Sequence, residues 1–208
     1  MMATTHAYMS TTLAVLTLPV TGQYAPSSWV LTVAFVAGLV PDLDLFATHR
    51  KTLHFPVALP TVAVACFLLS GTFGGQLLVL AAVAVAAAAL HSVTDVLGGP
   101  VGYEPWDCGS GRAVYNHVRD RWHAPRRLVR YSGAPEDFVL GAAFGVPVFA
   151  TPATGAGLDA ILAATLVGSG VYAATRRRFS AFARVLGPRV PSSILDRLHA
   201  IRLRVEDR

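Results

Sequence analysis

Charged residues are scarce in this chain of 208 residues. Asp, Glu, Lys and Arg together make up 14% of the sequence, whereas a soluble domain carries roughly 25%. Lysine occurs once, at position 51, and the other sixteen basic residues are arginines. The mean hydropathy is +0.51, because long runs of Ala, Val and Leu separate the few charges. This scarcity argues against a soluble domain and predicts an integral membrane protein.

Cysteine is also scarce, which argues against two further classes of protein. The two cysteines, Cys66 and Cys108, lie far apart in the sequence and form no CxxC motif. Neither a disulfide framework nor a structural zinc knuckle is therefore expected. Residues 1–9 carry no basic side chain, so we do not expect them to form a cleaved signal peptide.

Basic residues are absent from three long stretches of the chain. They are confined to residues 50–51, 112–130, 176–178 and the tail that ends at residue 208. This distribution is typical of cytoplasmic loops under the positive-inside rule. We therefore expect a multi-pass protein of the plasma or inner membrane, with both termini in the cytoplasm and membrane lipid as its partner. Because the arginines follow the topology, nucleic-acid binding is not expected, and a protein partner is left unspecified.

Six apolar segments alternate with turns and loops. They cover residues 7–20, 29–40, 55–70, 76–97, 137–151 and 160–175. The predicted fold class is all-α: a polytopic membrane helical bundle of about six spans in three hairpins, with a long loop at 98–135. The first two segments are short, since a span needs about 20 apolar residues. We divide the chain into a transmembrane helical domain, 1–175, and a basic amphipathic cytoplasmic tail, 176–208. The tail is expected either to lie on the membrane surface or to pack on the long loop.

Seven His and Asp side chains fall at the helix ends on the cytoplasmic side of this topology. Even numbers of crossings separate them, so all of them face the same layer as the arginines. Charged groups at membrane depth cost roughly 2.5–3.5 kcal/mol on insertion scales. Their concentration at one level therefore indicates a shared site. The seven are His6, Asp42, Asp44, His49, His54, His91 and Asp95.

The spacing of these residues is suited to binding a divalent metal. His91 and Asp95 are four residues apart, so they share one face of a helix. Asp42 and Asp44 follow Pro41, where both carboxylates can turn to the same ion. A mixed His/Asp set suits zinc, manganese or iron(II) rather than magnesium. Since seven ligands exceed the needs of one tetrahedral ion, a two-metal site is also considered.

Each of these residues also allows a simpler interpretation. Asp42 and Asp44 could cap and solubilise a turn, and His49 could face lipid headgroups. His91 could donate to a backbone carbonyl, and Arg50 could anchor the chain to anionic lipid. Composition and topology alone leave both interpretations open.

The order of the motifs resembles a known family. The motifs are Thr5-His6, Pro41-Asp42-Leu43-Asp44, His49-Arg50 with His54, His91-x-x-x-Asp95, Gly98-Gly99-Pro100 and Pro105-Trp106. Together they resemble the inner-membrane-associated metal-dependent hydrolases, also described as LexA-binding. The match covers about residues 5–107. Leu53 stands where the family has Thr, and Lys51 replaces a small residue. The resemblance implies a metal site and a hydrolytic activity, without naming a substrate.

The leading hypothesis is therefore a membrane-embedded hydrolase whose site lies at the cytoplasmic interface. A divalent ion, zinc or manganese by preference, would be held by Asp42, Asp44, His54, His91 and Asp95. His6 and His49 would be further ligands or would orient the others. Asp44 would take the proton from water. Arg50, with an arginine of the 112–130 region, would hold a phosphate or carboxylate of a lipid-like or phosphoester substrate.

Two other functions are compatible with parts of the sequence. A non-enzymatic membrane scaffold would recruit a partner through the arginine-rich loop and tail, and it would not need the His/Asp set. An ion transporter would need ionisable groups through the depth of the membrane. The outer halves of the apolar segments contain none of these groups, so the transporter is the weakest of the three hypotheses.

Overall fold

The computed structural model describes residues 1–99, 106 and 111–186, and this part of the chain is mostly helical. Its six α-helices are α1 (Ala3–Thr21), α2 (Ser27–Ala37), α3 (Ala58–Phe73), α4 (Gln76–Thr94), α5 (Pro135–Ala150) and α6 (Ala156–Leu186). A 3₁₀ segment, Val40–Phe46, follows α2, and a shorter one, Asp95–Leu97, continues α4. A small antiparallel ribbon of β1 (Tyr115–Asn116) and β2 (Arg121–Trp122) lies within the predicted long loop.

Helix α1 lies at the centre of the bundle. It packs against α2, α4 and α5, and most of its first ten residues are buried. Small residues such as Ala and Ser let neighbouring helices approach closely, and the buried hydroxyls find partners. The Thr11 hydroxyl donates to the Ala7 carbonyl at 2.8 Å, and the Ser10 hydroxyl donates to the Ala87 carbonyl at 3.3 Å. The polar residues of α1 can therefore lie inside an otherwise apolar bundle, because the neighbouring helices shield them.

Three segments are long and apolar enough to cross a membrane. They are Ser27–Leu45, Gln76–Leu97 and Ala156–Phe182, of 19, 22 and 27 residues. Helix α3 is apolar but shorter. Large apolar side chains point outward from these helices, as Leu77 of α4 and Val167 of α6 show with 82% and 68% exposure. Such outward apolar faces are typical of helices surrounded by lipid.

The observed helix bounds differ from the predicted ones mainly at α6. The last apolar segment was expected to end at residue 175, before three arginines, but α6 continues to Leu186. Because arginine is a good helix former, the three arginines do not end the helix. The first part of the predicted tail, 176–186, therefore belongs to α6, while the rest of it, 187–208, as well as Pro105 and Cys108, lies outside the described residues.

A buried carboxylate joins the last hairpin to α1. Asp137, in the first turn of α5, accepts hydrogen bonds from the Met2 amide at 2.7 Å and the Gly133 amide at 3.0 Å. The Thr5 hydroxyl donates to its other oxygen at 2.8 Å. A charge without solvent access is tolerable only when its lone pairs are satisfied in this way. Asp137 therefore holds the start of α1, which carries His6, in a defined position.

Candidate metal centre

Four ionisable side chains converge where the polar ends of α2 and α4 meet the loop before α3. One ligand atom from each of Asp42, His54, His91 and Asp95 lies within 4.8 Å of the others. His54, His91 and Asp95 are buried, and Asp42 is partly exposed. The predicted gathering of His and Asp into a group that could hold a metal ion is confirmed for these four residues.

The 3₁₀ segment Val40–Phe46 separates the two carboxylates that the sequence placed together. A 3₁₀ helix turns by about 120° per residue, so residues two apart point in very different directions. Asp42 faces the centre, with Oδ1 3.4 Å from His91 Nε2. Asp44 faces the following loop instead and is not a member of the group of four. The expectation that both carboxylates turn to one ion is therefore not met.

His91 uses one ring nitrogen for the protein and presents the other to the centre. Its Nδ1 lies 2.7 Å from the Gly38 carbonyl oxygen, and because a carbonyl can only accept, the proton lies on Nδ1. In the neutral ring, Nε2 then carries the lone pair. This nitrogen faces Asp42 and, at 3.7 Å, Oδ2 of Asp95. The backbone hydrogen bond considered as a simpler interpretation of His91 therefore involves only Nδ1. It leaves Nε2 available to bind an ion.

His54 repeats the pattern with a carboxylate in place of the carbonyl. Its Nδ1 lies 2.9 Å from Asp44 Oδ2, and its Nε2 lies 3.1 Å from Asp95 Oδ2. A carboxylate that orients a ligand histidine is the usual second layer of a metal site. Asp44 also accepts from the ring of His49, at 2.8 Å, and from the Leu53 amide, at 3.3 Å. Asp44 is thus placed to orient two histidines.

Asp95 connects the centre to His6. Its Oδ1 lies 3.0 Å from His6 Nε2, while its Oδ2 faces His54 and His91. The other nitrogen of His6 bonds to the Thr94 hydroxyl at 3.0 Å. The His6 ring stacks on that of His91, with 3.8 Å between centroids. His6 therefore supports the centre from behind instead of being one of the four converging groups.

Four buried atoms at the centre make no hydrogen bond within the part of the chain that the structure describes, although the three nitrogens among them lie 3.1–3.7 Å from the Asp95 oxygen. They are His54 Nε2, His91 Nε2, Asp95 Oδ2 and Arg50 Nε. Leaving such an atom unsatisfied costs about 1–3 kcal/mol. Three of them are atoms that would bind a cation, and imidazole with carboxylate suits zinc or another transition ion. The donor set therefore fits a divalent metal.

The carboxylates around the centre also favour the binding of a cation. Burial lowers the pKa of His54, but the hydrogen bond to Asp44, the nearby Asp95 oxygen at 3.1 Å and the charges of both carboxylates outweigh burial and raise that pKa to about 9. Without a metal ion, a proton on His54 thus lies between two carboxylates. A divalent cation would supply the same compensation and would also engage His91 and Asp42.

Arg50 lies inside the protein rather than among lipid headgroups. Its side chain is 4% exposed, and its Nε is 3.3 Å from Asp95 Oδ2. It donates to the Gly99 carbonyl at 3.0 Å and to the Ala113 carbonyl at 3.4 Å. Its φ of 62° is unusual for a residue with a side chain, and such backbone is found where a site requires it. The interpretation of Arg50 as a lipid anchor is wrong, because the guanidinium neutralises Asp95 and fastens two loops.

His49 lies beside the four groups, on the wall of a cavity. Its side chain is 23% exposed, and the cavity wall also contains Asp42 and Arg50. Because Nδ1 of His49 bonds to Asp44, Nε2 is the remaining ring nitrogen, and it has no hydrogen bond to a described residue. One group of four that could hold a metal ion is found among the described residues, and the two-metal arrangement considered from the sequence stays a prediction.

Two supports of the centre were missed by the sequence analysis. They are the Gly38 carbonyl, which fixes His91, and the Thr94 hydroxyl, which fixes His6. A backbone carbonyl carries no residue-type signal, and a threonine in an apolar helix is too common to stand out. Only the packing of α1 and α2 against α4 brings these groups to the histidines.

The fold and the centre define a class: a mostly helical protein with three helices able to cross a membrane and a buried His/Asp group able to hold a metal ion. Comparison of the chain with protein-family models, with curated proteins and with solved structures finds no match.

Proposed function

We propose that this chain is a membrane-embedded, metal-dependent hydrolase with its site at the cytoplasmic interface, as its resemblance to the inner-membrane hydrolases implies. The observation that carries the proposal is the convergence of ligand atoms from Asp42, His54, His91 and Asp95 within 4.8 Å of one another, beside a cavity. A purely structural cluster would be expected to give its buried atoms hydrogen bonds, and within the described residues the ligand atoms of His54, His91 and Asp95 make none. A scaffold protein would not need them.

The proposed topology has six crossings in three hairpins, with both ends of the chain in the cytoplasm. The three long apolar segments support part of this arrangement. The arginine distribution and the placement of every centre residue at one level support the rest. In this topology, the central helix α1 crosses within the shelter of its neighbours, whereas α3 and α5 cross with apolar side chains such as Leu68 and Val146 facing outward.

The four converging residues would hold the metal, zinc or manganese by preference. A divalent ion in such a site polarises a carbonyl or phosphoryl bond and lowers the pKa of water. Asp42, His54, His91 and Asp95 would bind it, while Asp44 and the Gly38 carbonyl orient the two histidines. Arg50 offsets the negative charge of Asp95.

The proton acceptor that the geometry supports best is His49, oriented by Asp44. Asp44 was expected to take the proton, but both of its oxygens are engaged by His49 and His54. His49 holds a fixed tautomer, and its Nε2 is free to accept a proton from water. The oxygen of that water would bond to the phosphorus or carbonyl carbon, the ester bond would break, and His49 would pass its proton to the leaving oxygen.

The first prediction concerns metal content. Protein purified gently in detergent should hold about one equivalent of a divalent metal, measured by elemental mass spectrometry. His91→Ala and Asp95→Asn should hold almost none, because each removes a ligand. His117→Gln is the matched control, since His117 is exposed and bonds to the Lys51 carbonyl outside the centre. An unmutated protein without stoichiometric metal would contradict the proposal.

A further inference from the structure

A cavity of about 580 Å³ opens directly beside the metal centre. Its lining includes Asp42, His49 and Arg50 from the centre and Gly168, Tyr172 and Arg176 from α6. Pockets that bind small molecules measure roughly 300–1,000 Å³. The cavity is therefore large enough for a ligand, and its position lets one end of that ligand reach the centre.

The charges on the cavity wall favour an anionic group. Among the described residues of the wall, Arg50 and Arg176 are the basic side chains and Asp42, which the metal would neutralise, is the acidic one; Arg50 also pairs with Asp95. The Arg176 guanidinium lies 5.5 Å from the Trp106 ring and 5.8 Å from the Tyr172 ring. It also donates to the Ser180 hydroxyl at 3.3 Å. Guanidinium groups held in place by aromatic rings are well suited to bind phosphate.

The rest of the cavity favours an alkyl chain. Met1, Met2, Ala3 and Leu45 contribute apolar groups to its wall. The α6 wall belongs to a segment able to cross a membrane, Ala156–Phe182. On the same helix, Val167 and Val171 point outward from the bundle. A molecule that lies in lipid could therefore place its chain along α6 and its polar end at the centre.

We propose that the cavity binds an amphiphile with a phosphate headgroup and one alkyl chain. The phosphate contacts Arg176 and Arg50 next to the centre, and the chain runs past Gly168. That the bound molecule is a substrate depends on the proposed function, but the binding itself does not. The binding experiment can therefore be performed on protein stripped of metal by a chelator, and also on protein loaded with zinc.

Gly168 offers a clean way to fill the cavity. A Cβ added at Gly168 would meet no atom within 4 Å, and the same is true at Gly157 near the start of the same helix. Gly168 lines the cavity and Gly157 does not. Gly168→Phe should therefore place a ring in the space that the ligand needs, whereas Gly157→Phe makes the same chemical change outside it.

The experiment is a titration of full-length protein with dodecyl phosphate, followed by native mass spectrometry in a neutral maltoside detergent. One dodecyl phosphate should bind per chain, with or without zinc. Gly168→Phe should weaken this binding about tenfold or more, since filled space excludes the chain. Gly157→Phe should leave it unchanged. Equal affinities of the two variants, or no bound dodecyl phosphate, would overturn the proposal.

Arginine variants provide a second readout if Gly168→Phe does not fold. Arg176→Gln should weaken binding about tenfold through loss of a charge-assisted contact. Arg178→Gln, at an exposed neighbour outside the cavity, should not weaken it.

Inorganic phosphate and dodecanol should each bind far more weakly than dodecyl phosphate. Inorganic phosphate that binds equally well would show a site for free phosphate instead, and equal loss in the two arginine variants would contradict a role for Arg176. Absence of metal with intact dodecyl phosphate binding would instead refute the proposed hydrolase alone.

Discussion

At the scale of single residues, the centre is built from histidines with divided roles. The protein binds one nitrogen of each ring, through the Gly38 carbonyl for His91 and through Asp44 for His54. The other nitrogen is left towards the centre, buried and unsatisfied. This division sets the tautomer and the ring angle before any ion binds, and so reduces the entropy lost on binding.

Asp44 provides a prediction at this scale. Asp44→Asn should lower the affinity for zinc roughly 10- to 100-fold, because the amide is a weaker acceptor for the His54 and His49 rings. Competition with a chelator of known affinity would measure the change. Asp159→Asn is the control, since Asp159 lies in the first turn of α6 and outside the group of four. Unchanged zinc affinity in Asp44→Asn would mean that Asp44 does not orient His54.

At the scale of elements, close helix packing positions the centre. Gly38 ends α2 at a point where a Cβ would lie 2.9 Å from the Ser10 hydroxyl oxygen and 3.0 Å from the Ala7 Cα. No side chain larger than hydrogen fits without movement there. The same residue presents its carbonyl to His91. The contact between α1 and α2 therefore sets the position of His91, a proposed metal ligand on α4.

Two glycine variants should change stability in opposite directions. Gly38→Ala should lower the free energy of unfolding by about 1–3 kcal/mol through overpacking against α1. Gly71→Ala in α3 should raise it by about 0.5–1 kcal/mol, since alanine favours a helix and a Cβ there meets nothing within 4 Å. Thermal unfolding in detergent would measure both changes. A Gly38→Ala protein as stable as the parent would show that the α1–α2 contact yields easily.

The buried carboxylate of Asp137, which joins α1 to α5, can be tested by substitution. Asp137→Ala should lower the free energy of unfolding by about 2–5 kcal/mol, because buried donors of Met2, Thr5 and Gly133 lose their acceptor. Chemical unfolding in detergent would measure the loss. Glu136→Ala, next in the sequence, should cost much less, since its ion pair with Arg130 is open to solvent. Similar losses in the two variants would contradict a special role for the buried carboxylate.

At the scale of the whole molecule, every group of the centre lies at one level of the bundle. The start of α1, the segment after α2, the loop before α3 and the end of α4 meet there. This arrangement follows from antiparallel helices joined by short outer turns. In the proposed topology, this level would lie at the membrane surface, where water and a lipid headgroup would both be at hand.

Topology can be tested with single cysteines in a chain whose Cys66 and Cys108 are changed to serine. Six crossings predict that Thr72→Cys and Ala156→Cys react with a membrane-impermeant maleimide in intact cells, because both lie at outer turns. Arg119→Cys, in the loop that holds the β-ribbon, should react only after lysis. Gel-shift labelling would distinguish the sites. Reaction of Arg119→Cys and Thr72→Cys from the same side would refute the six-crossing topology.

Local properties were readable from the sequence. Apolar runs placed the six helices, because hydropathy depends on each residue's own side chain and not on its neighbours in space. The four-residue spacing of His91 and Asp95 predicted their shared face, because helix geometry is regular. The order of Asp42, His54 and the α4 pair indicated a candidate metal centre at one end of the bundle, and the resemblance to a known family favoured it over a purely structural role.

By itself, then, the sequence determined that this is a helical, apolar chain, and it predicted that seven of its His and Asp residues gather at one level. Only the tertiary structure decided which of them converge. The 3₁₀ turn separates Asp42 from Asp44, and the Gly38 carbonyl selects the nitrogen that His91 presents. The buried side chain of Arg50 pairs with Asp95. The space between α6 and the centre forms the cavity. These outcomes depend on directions and on contacts between residues far apart in the chain, which residue types and spacing do not encode.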